Sequence, residues 1–145
     1  MDARKYFRDA IELIDTHPKT EERKRKRIEI SLKWARISHY VAPEDYNILI
    51  LETSLEYARE LNDEPQIAHL GYWLGNRNYI IGNLNQANDQ FTHCIELAKQ
   101  WNEKALLAQA YAALGRVYLL EAEYLKANDF FEKGILLLKA LGEQN

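Results

Sequence analysis

Apolar residues along the chain recur at three- and four-residue intervals, and no stretch alternates at period two for long enough to make a strand. That pattern predicts helices throughout. They fall at about 22–41, 44–61, 65–81, 84–101, 105–121 and 124–141, behind an amphipathic stretch over 1–18. Gly82-Asn83 marks a turn, Pro43 and Pro65 stand where a first-turn proline is tolerated, and Asp63 is placed to cap the helix that Pro65 opens. Long helices joined by short connections become antiparallel neighbours.

The pattern also repeats. Leu74-Gly75 returns as Leu114-Gly115, Ala87-Asn88-Asp89 as Ala127-Asn128-Asp129, Phe91 as Phe131 and Ile95 as Ile135, each pair 40 residues apart. A fainter copy lies upstream, with Leu55 for Ile95, Ala58 for Ala98 and Leu61-Asn62 for Trp101-Asn102. A fixed period of this length means stacked supersecondary units. The expectation is an all-α solenoid of antiparallel helix pairs forming one domain over 1–145. Three units cover 22–64, 65–104 and 105–145, and a capping helix over 1–18 brings the total to about seven helices.

Gly75 and Gly115 lie twelve residues before Ala87 and Ala127. Missing side-chain bulk at both points lets the helices of a pair approach closely, and Phe91 and Phe131 fill the wedge beside that contact. These residues, with Asn78 or Tyr118, Gly82-Asn83-Leu84, and Cys94 or Gly134, resemble the tetratricopeptide repeat. The small-small-Phe pattern favours that family over HEAT or armadillo repeats. Its usual period is about 34 residues, so the chain resembles the long variety found in the C-terminal arrays of bacterial signalling ATPases and related regulators. The third unit matches best. The first matches loosely, with Trp34-Ala35 for Leu-Gly, Ser38 for the Tyr and Asn47 for the Ala.

Composition narrows the class without naming a partner. Of 145 residues, 47% are hydrophobic and 28% charged, and the net charge is −3, as in an ordinary globular protein. The single cysteine, Cys94, has no internal partner for a disulfide. No signal peptide and no 18-residue apolar run is present, so a cytoplasmic location without membrane contact is expected. Charge is polarised. Residues 1–42 carry 11 basic and 7 acidic groups, whereas 43–145 carry 8 and 15. The run Arg23-Lys24-Arg25-Lys26-Arg27 dominates the positive part. Its functional reading is contact with phosphate, as in weak nucleic-acid binding, or with an acidic partner surface. Without interleaved aromatics, a solvated helix start offset by Glu21 and Glu22 is preferred.

No motif supplies catalysis. There is no phosphate loop, no His-Glu pair at metal spacing, no nucleophile elbow and no cysteine pair. His17, His39, His69 and His93 are scattered, and Cys94 reads as a small buried hydrophobe. No enzyme activity, cofactor or metal is expected.

Stacked pairs place the first helix of each on a concave surface. His69, Tyr72, Asn76 and Tyr79 share one face, adjacent to the face that carries Leu70, Leu74 and Asn78 inward. Their counterparts are Glu29, Leu32, Arg36 and His39 in the first unit, and Gln109, Ala112, Arg116 and Leu119 in the third. Arg36, Asn76 and Arg116 thus form a ladder. The resemblance implies that such Asn and Arg residues hold the backbone or carboxylates of an extended peptide, each through two hydrogen bonds. The lysine of the family's chaperone-tail clamp is replaced by Leu32, Tyr72 and Ala112. With Trp73 nearby, the groove is mixed aromatic and polar.

The last helix becomes apolar where a terminal unit should become polar. Phe130, Leu136, Leu137 and Ala140 form a candidate assembly patch. Two explanations stay open: a piece of a longer array, or association with a second copy or another protein. The function expected is protein or peptide binding in the groove, within a signalling or regulatory protein. The alternative is a structural module that assembles through the last helix.

Overall fold

The computed structural model describes residues 2–39 and 48–143. Among them the chain forms α1 (Ala3–Asp15), α2 (Glu21–Ser38), α3 (Ile48–Glu60), α4 (Glu64–Ile80), α5 (Leu84–Gln100), α6 (Lys104–Leu120) and α7 (Tyr124–Glu143), and no strand. The all-α helical-repeat expectation holds. Pro43, Asn47, the start of the helix expected from 44 and the end of that expected over 22–41 lie outside the described residues. Contacts divide the chain into two compact units, Met1–Leu74 and Gly75–Asn145, with the division inside α4.

Four helix ends are built alike. Asn62, Gly82, Asn102 and Ala122 have φ of 53°, 87°, 55° and 60°, a left-handed step every 20 residues. Each stop closes with the same pair of hydrogen bonds. The N–H groups of Asn62 and Asp63 donate to the carbonyls of Arg59 and Ala58, and the same geometry recurs at Gly82-Asn83, Asn102-Glu103 and Ala122-Glu123. This double bond pattern satisfies carbonyls that a helix end leaves open. Asp63 then opens α4 as expected, its Oδ1 accepting the Gln66 N–H at 3.4 Å.

In the first unit, Ile11 of α1, Ile28, Trp34 and Ala35 of α2, Leu51 and Ala58 of α3, and Leu70 and Leu74 of α4 form a buried core. Through it runs a polar bolt. Arg27 is only 2% exposed. Its Nε and Nη2 donate to the two carboxylate oxygens of Asp15 at 2.9 and 3.3 Å, and its Nη1 donates to the Ile50 carbonyl at 2.9 Å, to Ser54 Oγ at 2.8 Å and to Ser31 Oγ. Ser54 Oγ donates in turn to Ser31 Oγ at 2.8 Å. One guanidinium thereby ties α1, α2 and α3 with each of its three nitrogens hydrogen-bonded and a carboxylate opposite, the condition for tolerating a buried charge.

In the second unit, α6 is rich in alanine and is packed between α5 and α7. Glycine is required at two places. A Cβ at Gly75 would lie 2.6 Å from Phe91 Cε1, and one at Gly115 would lie 2.7 Å from Phe131 Cε1. Each ring lies directly over its glycine, a closer fit than a wedge beside the helix contact. A Cβ at Gly134 would meet the Ala108 carbonyl oxygen of α6 at 3.2 Å. Cys94 occupies the matching position on α5 and is buried.

Candidate functional site

The forty-residue register puts two ladder residues in direct contact. Arg116 on α6 donates from Nη2 to Asn76 Oδ1 at 3.2 Å, and its guanidinium carbon lies 5.6 Å from the centre of the Tyr79 ring. The amide and the ring hold the planar cation between them, a combination of hydrogen bonding and cation–π attraction that fixes its orientation. Asn76, Tyr79 and Arg116 are half-buried, and Gln109 is exposed on the same face of α6. Asn78, on the neighbouring face of α4, turns inward and donates to Gln90 Oε1 at 2.8 Å.

The first unit carries the other candidates. Arg36 is exposed, and His69 and Tyr72 are half-buried. Trp73 gathers rings around it: Tyr72 meets it edge-on at 5.1 Å and His39 lies tilted at 5.4 Å. Glu29 accepts a hydrogen bond from Lys33 at 3.0 Å, and that bond, with the charges of Lys26 and Lys33, holds its carboxyl below the ordinary value.

The basic run is largely spoken for within the chain. Lys24 pairs with Glu60, Arg25 with Glu21 at 3.0 Å and Asp63 at 3.3 Å, Lys26 with Glu29 at 3.5 Å, and Arg23 donates to the Pro18 carbonyl at 3.3 Å. Arg27 is the buried bolt. The run is therefore not five cations free for phosphate. Sequence reasoning missed this role, although a signal existed. Arg27, Ser31, Trp34 and Ser38 recur at four, three and four residues, which places Arg27 on the buried stripe of α2.

A cavity of about 270 Å³ in the first unit is lined by Asp2, Arg4, Lys5, Arg8, Trp34 and Ser38. Asp2 binds Arg4 at 3.1 Å and Asp9 binds Lys5 at 2.9 Å, so two of its three cations already meet carboxylates. Ser38 ends α2, where the helix dipole opposes an anion. No group of three or more His, Cys, Asp and Glu that could hold a metal ion occurs among the described residues. Burial pushes the Cys94 thiol up to about 12, a value that makes it inert rather than nucleophilic. No described helix is long and apolar enough to cross a membrane.

The structure separates the four residues of the terminal patch. Phe130 is half-buried, stacked on Tyr118 at 5.5 Å with the ring planes 9° apart, and Leu137 is also half-buried. Leu136 and Ala140 are exposed.

Comparison with known proteins gives one relative. Over 126 residues the chain is 26% identical to response regulator aspartate phosphatase J of Bacillus subtilis (strain 168). The match covers 87% of this chain and 34% of the relative, so the chain spans about a third of the length of the protein it resembles. No family model matches the chain, and no solved structure matches it.

Proposed function

We propose that this chain is a non-catalytic protein-interaction module of the tetratricopeptide kind that captures an extended, acidic segment of a signalling protein on the open face of its first-of-pair helices. The observation that carries the reading is Arg116. It spends one donor on Asn76, rests on Tyr79, and keeps its other N–H groups for a guest carboxylate. A guanidinium already held in place loses less freedom when a partner arrives, so its hydrogen bonds convert more fully into affinity. Gln109, two turns earlier on α6, supplies an amide for the backbone of the same guest. Arg36, His69 and Tyr72 belong to the corresponding face in the first unit. The name of the relative points to response regulators as the partner class, and the proposal includes a cytoplasmic setting. Phosphatase chemistry is not assigned to this chain.

Selection of a phage-displayed random peptide library on the immobilised chain tests the reading. Acidic segments should be enriched, and their affinity should fall at least tenfold on Arg116→Glu. Failure to enrich peptides, or equal enrichment by the Arg116→Glu variant, would remove the groove as the binding surface.

A further inference from the structure

The α7 helix carries a largely apolar face that its own unit covers only in part, with Phe131 half-buried over Gly115. Tyr124, Asn128, Phe131, Ile135 and Leu138 recur at four, three, four and three residues, the spacing of a coiled-coil seam. Forty residues earlier the same positions are Leu84, Asn88, Phe91, Ile95 and Ala98 of α5, which packs against α6. There Phe91 and Ala98 are 0% exposed and Ile95 is 7%. On α7 the copies Ile135 and Leu138 are 51% and 57% exposed, and Tyr124 is 66%. The surface that this unit buries on α5 is thus left uncovered on α7 among the described residues.

We propose that a second copy of the chain covers it, with the two α7 helices pairing antiparallel about a two-fold axis between Ile135 and Leu138. The charges beside the seam select this occupant and this direction. Glu132 and Lys139 are exposed and one heptad apart on the solvent flank, where Glu132 accepts a hydrogen bond from Asn128 at 3.2 Å. In an antiparallel pair, residues of the same flank face each other, so Glu132 of each copy meets Lys139 of the other. In a parallel pair they would face the opposite flank, which holds Ala127 and Gly134, both buried. Lys139 makes no ion pair among the described residues, whereas its neighbour Lys133 binds Asp129 at 3.2 Å. Exposed ion pairs contribute little energy, so burial of the seam drives association and the charges set its direction. One helix face buries less than the roughly 800 Å² per partner of a standard interface. The dimer therefore belongs with the weak, transient interfaces.

Sedimentation equilibrium of the whole chain from low micromolar to near-millimolar concentration tests this. The average mass should climb from 17.0 kDa toward twice that value. Ile135→Lys with Leu138→Lys, at positions already exposed, should hold the chain at the monomer mass with unchanged far-UV circular dichroism. Leu136→Lys, on a different face of α7, should leave association unchanged. Lys139→Glu should weaken it severalfold, and adding Glu132→Lys should restore it. A wild-type mass that stays at the monomer value throughout overturns the proposal and leaves the face to a partner of different sequence. An association insensitive to Ile135→Lys with Leu138→Lys, or a charge swap without rescue, overturns the seam or its direction.

Discussion

Replacing Gly75 with alanine should destabilise the second unit, although alanine is the better helix former. The added methyl would lie 2.6, 2.8 and 3.0 Å from Cε1, Cδ1 and Cζ of Phe91. Carbon atoms at rest sit at about 3.5–4.0 Å, so the ring must move by roughly 1 Å. Phe91 is 0% exposed and cannot swing outward, so the displacement passes into its neighbours. Overpacking of this kind costs about 1–3 kcal/mol, and the Gly-to-Ala change inside a helix returns about 0.5–1 kcal/mol. The net loss should be about 1–2 kcal/mol in urea unfolding followed by far-UV circular dichroism. Phe91→Leu removes the obstructing ring edge. In that background Gly75→Ala should become stabilising, so a double-mutant cycle should read a coupling of about 1.5–3 kcal/mol. Two further substitutions grade the effect. Gly115 faces Phe131 just as closely, but that ring is only half-buried and can yield, so Gly115→Ala should cost less. Gly142 has nothing within 4 Å of an added Cβ, so Gly142→Ala should be neutral or slightly stabilising. If Gly75→Ala matches or exceeds wild type while Phe91 is present, the close-approach account of the repeat is wrong.

Ala122 holds φ of 60° without being glycine. Ala122→Gly should therefore raise stability by about 1 kcal/mol, visible as a higher melting temperature, and an unchanged or lower value would contradict strain at that joint. Asp15→Ala leaves the Arg27 guanidinium buried without a counter-charge and should cost about 3 kcal/mol. Arg27→Met should cost about 2 kcal/mol, because Asp15 is partly exposed and regains water while the Ile50 carbonyl does not. Denaturant melts that show either variant as stable as wild type would refute the bolt. Cys94 should resist thiol reagents in the native state and react on unfolding. Its thiol lies above the ordinary 9.0 at about 12, so the native state keeps a proton that the unfolded chain releases between those values. Stability should then fall as pH rises above 9, by up to about 1.4 kcal/mol per unit, and Cys94→Ala should remove that part of the slope. Rapid labelling of the folded chain would sink this prediction.

The forty-residue period was legible because close packing needs a missing side chain at one fixed place in each pair, and absence is easy to see at Gly75 and Gly115. The same register carried Asn76 and Arg116 from sequence to contact at 3.2 Å. The shorter period of the helix stops was hidden for the opposite reason. Asn62, Gly82, Asn102 and Ala122 share one left-handed geometry, and only Gly82 advertises it by residue type. Arg27 was hidden by its neighbours, since four cations that reach solvent or surface partners mask the fifth, which sits on the apolar stripe.

The last helix shows the same limit in sharper form. Its apolar content is plain in the sequence, yet composition along a helix carries no angle until one knows which faces the neighbours take. Phe130 and Leu137 prove to be half-buried and Leu136 and Ala140 exposed, whereas the exposed part of the seam is Ile135 and Leu138, with Phe131 half-buried beside them. Only the burial of Phe91, Ile95 and Ala98 on α5, transferred by forty residues, identifies that seam as a surface of the kind this fold covers. A repeat therefore discloses candidate contact faces by comparison between copies, through what is buried in one and exposed in the next.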